Sequence, residues 1–142
     1  PRLLDIGIMP DIMAGNIIGI IAQRLVRMLC SHCKEAYAPS QDERRLLGPA
    51  GDSVSFLYRP VGCKSCGNKG YRGRTPIMEL LVMDGDLDEL VARRATAKEL
   101  RAEAALKGFR SLAEEGITRA LDGITSLAEV ARTVDLTGRL RQ

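Results

Sequence analysis

The stretch GCKSCGNKGYRGR, residues 62–74, decides how the middle of this chain folds. It places two cysteines in a C-x-x-C pair, and the other two cysteines of the chain form a second such pair, with 29 residues, 34–62, between the pairs. A C-x-x-C turn points two thiolates at one ion, and two such turns fill a tetrahedral site and leave no position for water. The sequence therefore predicts a closed, structural zinc site with four ligands: Cys30, Cys33, Cys63 and Cys66.

The separation of the pairs exceeds the roughly 15–20 residues usual in a zinc ribbon. A helix predicted at 41–47 and a strand predicted at 54–59 would account for the extra length as an insertion. A redox pair is the alternative, but no βαβ pattern lies beside either pair, and structural disulfides need an oxidising compartment. We interpret His32, inside the first pair, as an exposed loop residue.

Basic residues crowd the second pair: Lys64, Lys69, Arg72 and Arg74. Three interpretations stay open, namely a nucleic-acid-binding ribbon, a solvated basic face, and arginines that reach phosphate or carboxylate groups on a neighbouring subunit or domain. Only Tyr71 is available nearby for base stacking, and the acidic segment 84–89 dilutes the positive field. We therefore expect no nucleic-acid partner.

Length and composition indicate a globular chain. With 142 residues, 45% of them hydrophobic, it can form one ordinary domain or two small ones. A net charge of +3 is mild for a protein that binds a phosphate backbone. The apolar run 17–22 is far shorter than the ~20 residues of a membrane span, and no signal-peptide pattern is present. We expect a cytosolic chain without a transmembrane segment, cut from a longer protein because it starts at Pro1.

The first 83 residues predict a helix and then a small module. Apolar residues spaced by three and four predict an amphipathic helix over 10–29. Ser40 and Glu43 have capping-box spacing and start the helix at 41–47. Strands predicted at 54–60 and 75–83 flank the second cysteine pair and would form an antiparallel hairpin.

The remainder predicts four helices at about 87–94, 97–107, 112–122 and 127–134. Each start has a capping residue followed three positions later by a glutamate: Asp86 with Glu89, Thr96 with Glu99, Ser111 with Glu114, and Ser126 with Glu129. Gly108 and Gly123 would end the second and third helices. We expect these helices to share one core, built from Leu87, Leu90, Val91, Leu100, Leu106, Leu112, Ile117, Leu121, Leu127 and Val130. The tail 135–142 is expected to fray.

Catalytic motifs are missing from this sequence. It has no G-x-x-x-x-G-K-[ST] phosphate loop. His32 is the single histidine, and no serine or cysteine has a credible histidine partner. We expect the chain by itself to be catalytically inactive.

Three stretches together resemble the C-terminal part of the type II secretion and type IV pilus assembly ATPases. They are LLDIGIMPDIMAGNIIGIIAQRLVRMLCSHCKEAY (3–37), GCKSCGNKGYRGRTPIMELL (62–81) and GFRSLAEEGITRALDGITSLAEV (108–130). The resemblance implies an α+β, predominantly helical fragment of a RecA-like P-loop ATPase. Residues 1–29 would be the C-terminal helix region of the motor domain, 30–82 a tetracysteine zinc-binding module with a β-hairpin, and 83–142 a C-terminal helical subdomain.

The resemblance also implies a function for the parent protein. It would be a hexameric cytoplasmic ATPase, peripheral on the inner membrane, whose partners are sister subunits and the inner-membrane platform of a secretion or pilus machine. ATP and Mg would be bound by the parent protein only. Gln23 and Arg24 would lie on the last motor-domain helix, and Arg72 and Arg74 near the nucleotide or a subunit boundary. Pro76 departs from the glycine more usual after RGRT. The alternative is a free-standing zinc-ribbon module that binds nucleic acid or protein.

Overall fold

The computed structural model describes residues 2–136 of the chain and has an α+β fold, as predicted. Four strands and short helices alternate in the first half, and helices follow. The strands are β1 (Gly19–Leu29), β2 (Glu35–Tyr37), β3 (Leu57–Arg59) and β4 (Tyr71–Val82). The helices are α1 (Arg2–Asp5), α2 (Pro10–Met13), α3 (Gln41–Leu47), α4 (Gly85–Ala92), α5 (Ala97–Leu106), α6 (Leu112–Leu121) and α7 (Leu127–Thr133). Short 3₁₀ turns cover Gly48–Asp52 and Lys64–Cys66.

The helix predicted over 10–29 is wrong. Only the single turn of α2 is helical, and an 11-residue strand, β1, takes most of the segment. Gly15, with φ of +75°, adopts a left-handed conformation just after α2, and the isoleucines that follow are β-branched and favour strands. Apolar side chains occur on both faces of β1, which is why their spacing also matched a helical stripe. Gln23 and Arg24 accordingly lie on a strand and are exposed.

The predicted hairpin partner is also wrong. The module contains an antiparallel pair, but it joins β3 to β2, with Glu35 opposite Arg59 and Tyr37 opposite Leu57. Strand β4 instead pairs with β1. The Cys30 amide donates to the Gly70 carbonyl at 2.9 Å near one end of that pair. Each cysteine turn redirects the chain, so the two strands that flank it join different two-stranded sheets.

The described chain forms two compact units. Among the described residues, 2–22 and 79–111 contribute to the first unit, and 23–78 and 112–136 to the second. The four cysteines therefore belong to the same unit as α6 and α7, whereas α4 and α5 belong to the first unit. These boundaries differ from the predicted segments 1–29, 30–82 and 83–142. The assignment of those segments to parts of a parent ATPase stays a prediction.

The core of the second unit draws on both halves of the chain. It consists of Leu47, Leu57, Ile117, Ala120, Leu127, Val130 and Leu136. The shared core predicted for all four C-terminal helices is wrong, because α4 and α5 pack in the first unit, where Leu87 is buried and Leu106 is 84% exposed. Leu136 is buried, so the expected fraying does not reach it. Residues 137–142 of the predicted tail lie outside the described residues.

Several helix starts and ends follow the predicted chemistry, and one start does not. Full capping boxes form between Ser40 and Glu43 and between Thr96 and Glu99. Gly108 and Gly123 follow α5 and α6 with φ of +81° and +67°, the left-handed conformation that ends helices. The exception is α4, whose N-cap is Asp84 rather than Asp86. No helix among residues 2–136 combines the length and apolar character that a membrane crossing needs.

Candidate metal centre

The structure brings the four predicted ligands together. The four Sγ atoms all lie within 4.8 Å of one another. The Cys30–Cys63 sulfur distance is 3.9 Å, and the Cys33–Cys66 and Cys63–Cys66 distances are both 3.8 Å. A tetrahedral zinc ion with bonds of about 2.3 Å places its sulfurs about 3.8 Å apart, whereas a disulfide needs about 2.05 Å. The spacing fits four ligands of one tetrahedral ion, and all four cysteines are free thiols.

Similar tight turns present the two pairs of sulfurs. In the first, the amides of Cys33 and Lys34 donate to the Cys30 carbonyl at 3.2 and 3.0 Å. In the second, the amides of Cys66 and Asn68 donate to the Cys63 carbonyl at 3.2 and 2.9 Å. Such a turn folds the chain back within four to six residues. It therefore brings two side chains three positions apart to the same side, which is the reason for the C-x-x-C spacing.

Backbone amides surround the sulfurs. The Gly62 amide donates to Cys33 Sγ at 3.3 Å, and the amides of Cys63 and Gly70 each donate to Cys66 Sγ at 3.2 Å. Gly70 has a φ of +73°, and a Cβ there would lie 2.5 Å from the Pro60 side chain. Only glycine fits this position without displacing the chain. These glycines belong to the site, and sequence reasoning did not assign them, although they bracket the second cysteine pair.

These amides change the acidity of the thiols. Burial alone would raise the pKa of the Cys66 thiol, but the amides of Cys63 and Gly70, together with the Cys63 and Cys33 thiols, outweigh it and lower this pKa to about 6. Burial and the neighbouring thiols raise the pKa of Cys33 to about 11, although the Gly62 amide opposes the shift. Of these two thiols, Cys66 is thus the one whose surroundings favour the thiolate. A cation bound here would favour thiolates at the other positions, because metal binding releases thiol protons.

A buried ion-pair cluster lies beside the cysteines and was missed from the sequence. Glu129 is 1% exposed. Its carboxylate accepts hydrogen bonds from the Arg27 guanidinium at 2.6 Å and from two nitrogens of Arg132 at 2.9 and 2.7 Å. The Arg27 guanidinium also lies 4.2 Å from the centre of the Tyr71 ring. The Ser126 hydroxyl accepts a hydrogen bond from the Glu129 amide, as the S-x-x-E spacing predicts. The Glu129 side chain, however, binds the two arginines and not the start of the helix.

The comparison with known families decides where this chain belongs. A family model described as "Type II/IV secretion system protein" matches residues 1–132, nearly the whole chain. The chain belongs to this family. The resemblance carried by the three sequence stretches is thereby confirmed.

Relatives of this secretion-family chain include proteins named for type II secretion and proteins named for type IV pilus assembly. It is 42% identical over 135 residues to "Type II secretion system ATPase E" of Vibrio cholerae, which covers 92% of this chain and 26% of the relative. It is 39% identical over 137 residues to "Type IV pilus assembly ATPase PilB" of Thermus thermophilus, covering 94% and 15%. With "Type II secretion system protein E" of Pseudomonas aeruginosa it shares 39% over 131 residues, covering 92% and 26%. The chain therefore spans about a quarter or less of these relatives.

Three further residues singled out in the sequence of this secretion-family chain, His32, Arg72 and Arg74, are not members of the sulfur cluster. His32 is exposed, and it is not among the residues that form the metal-ligand cluster. Arg72 and Arg74 lie two positions apart on β4, on either side of Gly73 with its φ of +78°, and both are exposed. Neither side chain forms a hydrogen bond or ion pair with any part of the chain that the structure describes. Their predicted contact with a nucleotide or subunit stays a prediction.

Proposed function

We propose that this chain is the zinc-binding C-terminal portion of a hexameric cytoplasmic ATPase that powers type II protein secretion or type IV pilus assembly. One observation carries the proposal. In a member of the secretion family, four free thiols converge within 4.8 Å of one another, and three of their sulfur–sulfur distances are 3.8–3.9 Å, which suits a tetrahedral ion. The names of the relatives, which include both secretion and pilus ATPases, support the two candidate machines.

The proposed role of the metal is structural. Cys30, Cys33, Cys63 and Cys66 would provide all four ligands, so no position is left for a water or a substrate. A bound ion supplies a cross-link between two chain segments that are separated by 29 residues. The amides that donate to the sulfurs hold the ligands in place, as outer-shell groups do in metal sites generally. Nucleotide hydrolysis would take place elsewhere in the parent protein, where ATP and Mg would bind.

The proposed partners are sister ATPase subunits and the inner-membrane platform of the secretion or pilus machine, with the parent protein peripheral on that membrane. Arg72 and Arg74 are the candidate contact residues. Both are exposed on β4, and a guanidinium can hold a phosphate or a carboxylate through two parallel hydrogen bonds. Either a nucleotide or an acidic group of a neighbouring subunit suits this chemistry.

Metal analysis combined with thiol titration tests the zinc site. We expect one zinc per chain and four thiols that react with a thiol reagent only after a chelator is added. Cys63→Ser should lower the melting temperature by about 10 °C or more, because structural zinc contributes directly to folding. Ser65→Ala is the matched control, since Ser65 is an exposed neighbour in the same turn. Thiols that react without a chelator, or an unchanged melting temperature of Cys63→Ser, would contradict the proposal.

A further inference from the structure

Four consecutive residues between α6 and α7 each bond a residue close to the cysteine turns. The carbonyls of Gly123 and Ile124 accept from Lys34 Nζ and from the Leu29 amide, both at 2.8 Å. The Thr125 hydroxyl donates to the Arg27 carbonyl at 2.8 Å, and the Ser126 hydroxyl lies 2.7 Å from the Tyr71 hydroxyl. We call residues 123–126 the buttress turn.

The buttress turn is buried and packs tightly against the residues around it. Thr125 and Ser126 are 0% and 3% exposed, so their hydroxyls have no access to water if these bonds break. A Cβ on Gly123 would lie 2.5 Å from the Tyr58 ring and 3.1 Å from Lys34 Nζ. The turn therefore has little room to shift while the strands around it stay in place.

Both cysteine pairs connect to this turn. Leu29 and Lys34 flank the first pair on either side, and both bond to the turn. Tyr71 follows Gly70, whose amide donates to Cys66 Sγ and whose carbonyl accepts from the Cys30 amide. A displacement of either pair of sulfurs would therefore move a residue that is bonded to the buttress turn.

The contacts continue into α7. Ser126, the last residue of the turn, is the N-cap of α7. Glu129, in the first turn of that helix, binds the guanidinium and the amide of Arg27. Arg27 packs on Tyr71, whose hydroxyl bonds Ser126. The position of α7 is thus set by the same residues that adjoin the two cysteine pairs.

We propose that the buttress turn couples metal binding at the cysteines to the docking of α7. Metal release loosens α7, although no ligand lies in it, and loosening of the contacts to the turn weakens metal binding. The two effects are reciprocal because they measure one coupling free energy between two sites. This inference rests on the zinc site of the proposed function and adds a conformational consequence of metal occupancy.

Hydrogen exchange on the complete zinc-loaded chain, before and after chelation, tests the coupling. We expect the amides of α7 to exchange at least about tenfold faster without metal, as local opening becomes easier. Helix α5, in the other compact unit, is the internal reference and should change less than about twofold. Unchanged α7 exchange, or equal acceleration in α5 and α7, would overturn the coupling while leaving the zinc site intact. Failure of the chain to hold zinc would instead overturn the proposed function and this inference with it.

A pair of conservative variants tests the reverse direction. Tyr71→Phe removes the hydroxyl that meets Ser126 and keeps the ring under Arg27. Tyr58→Phe is the control, because Tyr58 also packs beside the turn, 4.5 Å from Lys34 Nζ, but its hydroxyl bonds no described residue. The affinity for zinc, measured at equilibrium by competition with a chromogenic chelator, should be about fivefold weaker in Tyr71→Phe, since one buried hydrogen bond is worth about 1 kcal/mol. Equal zinc affinities of the two variants would overturn the role of Tyr71.

Discussion

Glu129 is a carboxylate that stays charged although it is buried. Burial alone would raise its pKa, but the guanidinium groups of Arg132 and Arg27 and the Arg27 amide outweigh burial and lower this pKa to about 2. Such a group is costly to bury unless its hydrogen bonds are satisfied, and here each oxygen has partners. The cluster therefore fixes α7 on β1 only while Glu129 is ionised.

Glu129→Gln should destabilise the chain by about 3 kcal/mol at neutral pH, because it leaves Arg27 beside an uncharged partner. The folded-state pKa lies below the ordinary value of 4.5, so this stabilisation is fully present above about pH 4.5 and is lost as pH falls toward 2. Urea denaturation from pH 7 to pH 2 should show the two proteins converging in stability at the acid end. Glu35→Gln, in an exposed pair with Arg59, is the control and should cost less than about 1 kcal/mol. A pH-independent difference between Glu129→Gln and the parent would contradict this account.

Prediction from sequence worked at the cysteines and failed at Glu129 for a physical reason. The C-x-x-C spacing encodes a local turn, so two such pairs predicted the cluster that the structure brings together. Glu129 and Arg27 are 102 residues apart, and no local pattern records such a pairing. The S-x-x-E spacing described the backbone at the start of α7 correctly but left open what the glutamate side chain binds.

Among the helices and strands, those with clear capping residues and terminal glycines were predicted most accurately. The helices 41–47, 97–107, 112–122 and 127–134 were predicted from caps and terminal glycines, and the structure has them within a residue or so. Strand β1 was predicted as a helix because it has apolar residues on both of its faces, and their spacing along the chain also fits one stripe of a helix. Its pairing with β4 joins parts of the chain about 50 residues apart, and pairing at that range is decided by tertiary contacts.

The start of α4 offers a direct test of capping. The sequence DGDLDEL, residues 84–90, contains two aspartates that could cap the helix. The structure selects Asp84, whose side chain accepts from the Leu87 amide at 3.1 Å. Lys107 contacts both Asp84 and Asp86, so loss of an ion pair is common to the two substitutions.

Asp84→Ala should therefore destabilise α4 by about 1 kcal/mol more than Asp86→Ala, the cost of losing an N-cap. Hydrogen exchange in the first two turns of α4 measures the difference as local opening. Asp86→Ala serves as the matched control for the contact with Lys107. Equal effects of the two substitutions would show that the cap contributes nothing beyond the ion pair.

At the scale of the whole molecule, the predicted segments followed chain order, whereas each compact unit is assembled from separated stretches. Charge is also unevenly divided. The described residues of the first unit include seven basic and nine acidic ones, a net charge of −2, and those of the second include twelve basic and nine acidic ones, a net charge of +3. The positive unit contains the cysteines and the basic run from Arg59 to Arg74, which has no acidic residue. This unit is where a nucleic-acid-binding ribbon would have to act.

The structure gives a reason to expect weak nucleic-acid binding nonetheless. Tyr71 was the one aromatic residue placed for base stacking, but the Arg27 guanidinium lies over its ring and its hydroxyl bonds Ser126. With the Tyr71 ring occupied, binding at the cysteine turns would rely on phosphate contacts by exposed cations. Arg72 and Arg74 are the exposed cations that β4 itself provides, and Lys64 and Lys69 lie in the loop before it.

We therefore expect duplex and single-stranded DNA to bind with a Kd weaker than about 100 µM near physiological salt, the weak end of non-specific binding. Fluorescence anisotropy over a salt series measures both the affinity and its salt dependence. Four phosphate contacts would give a slope of log K against log salt of about −3.6 on duplex DNA, and Arg72→Ala combined with Arg74→Ala would reduce that slope by about 1.8. Micromolar binding at physiological salt with that pattern would favour a free-standing zinc ribbon over the motor portion. Binding that appears only at low salt, with zinc still bound, is the result that a contact surface inside a protein assembly predicts.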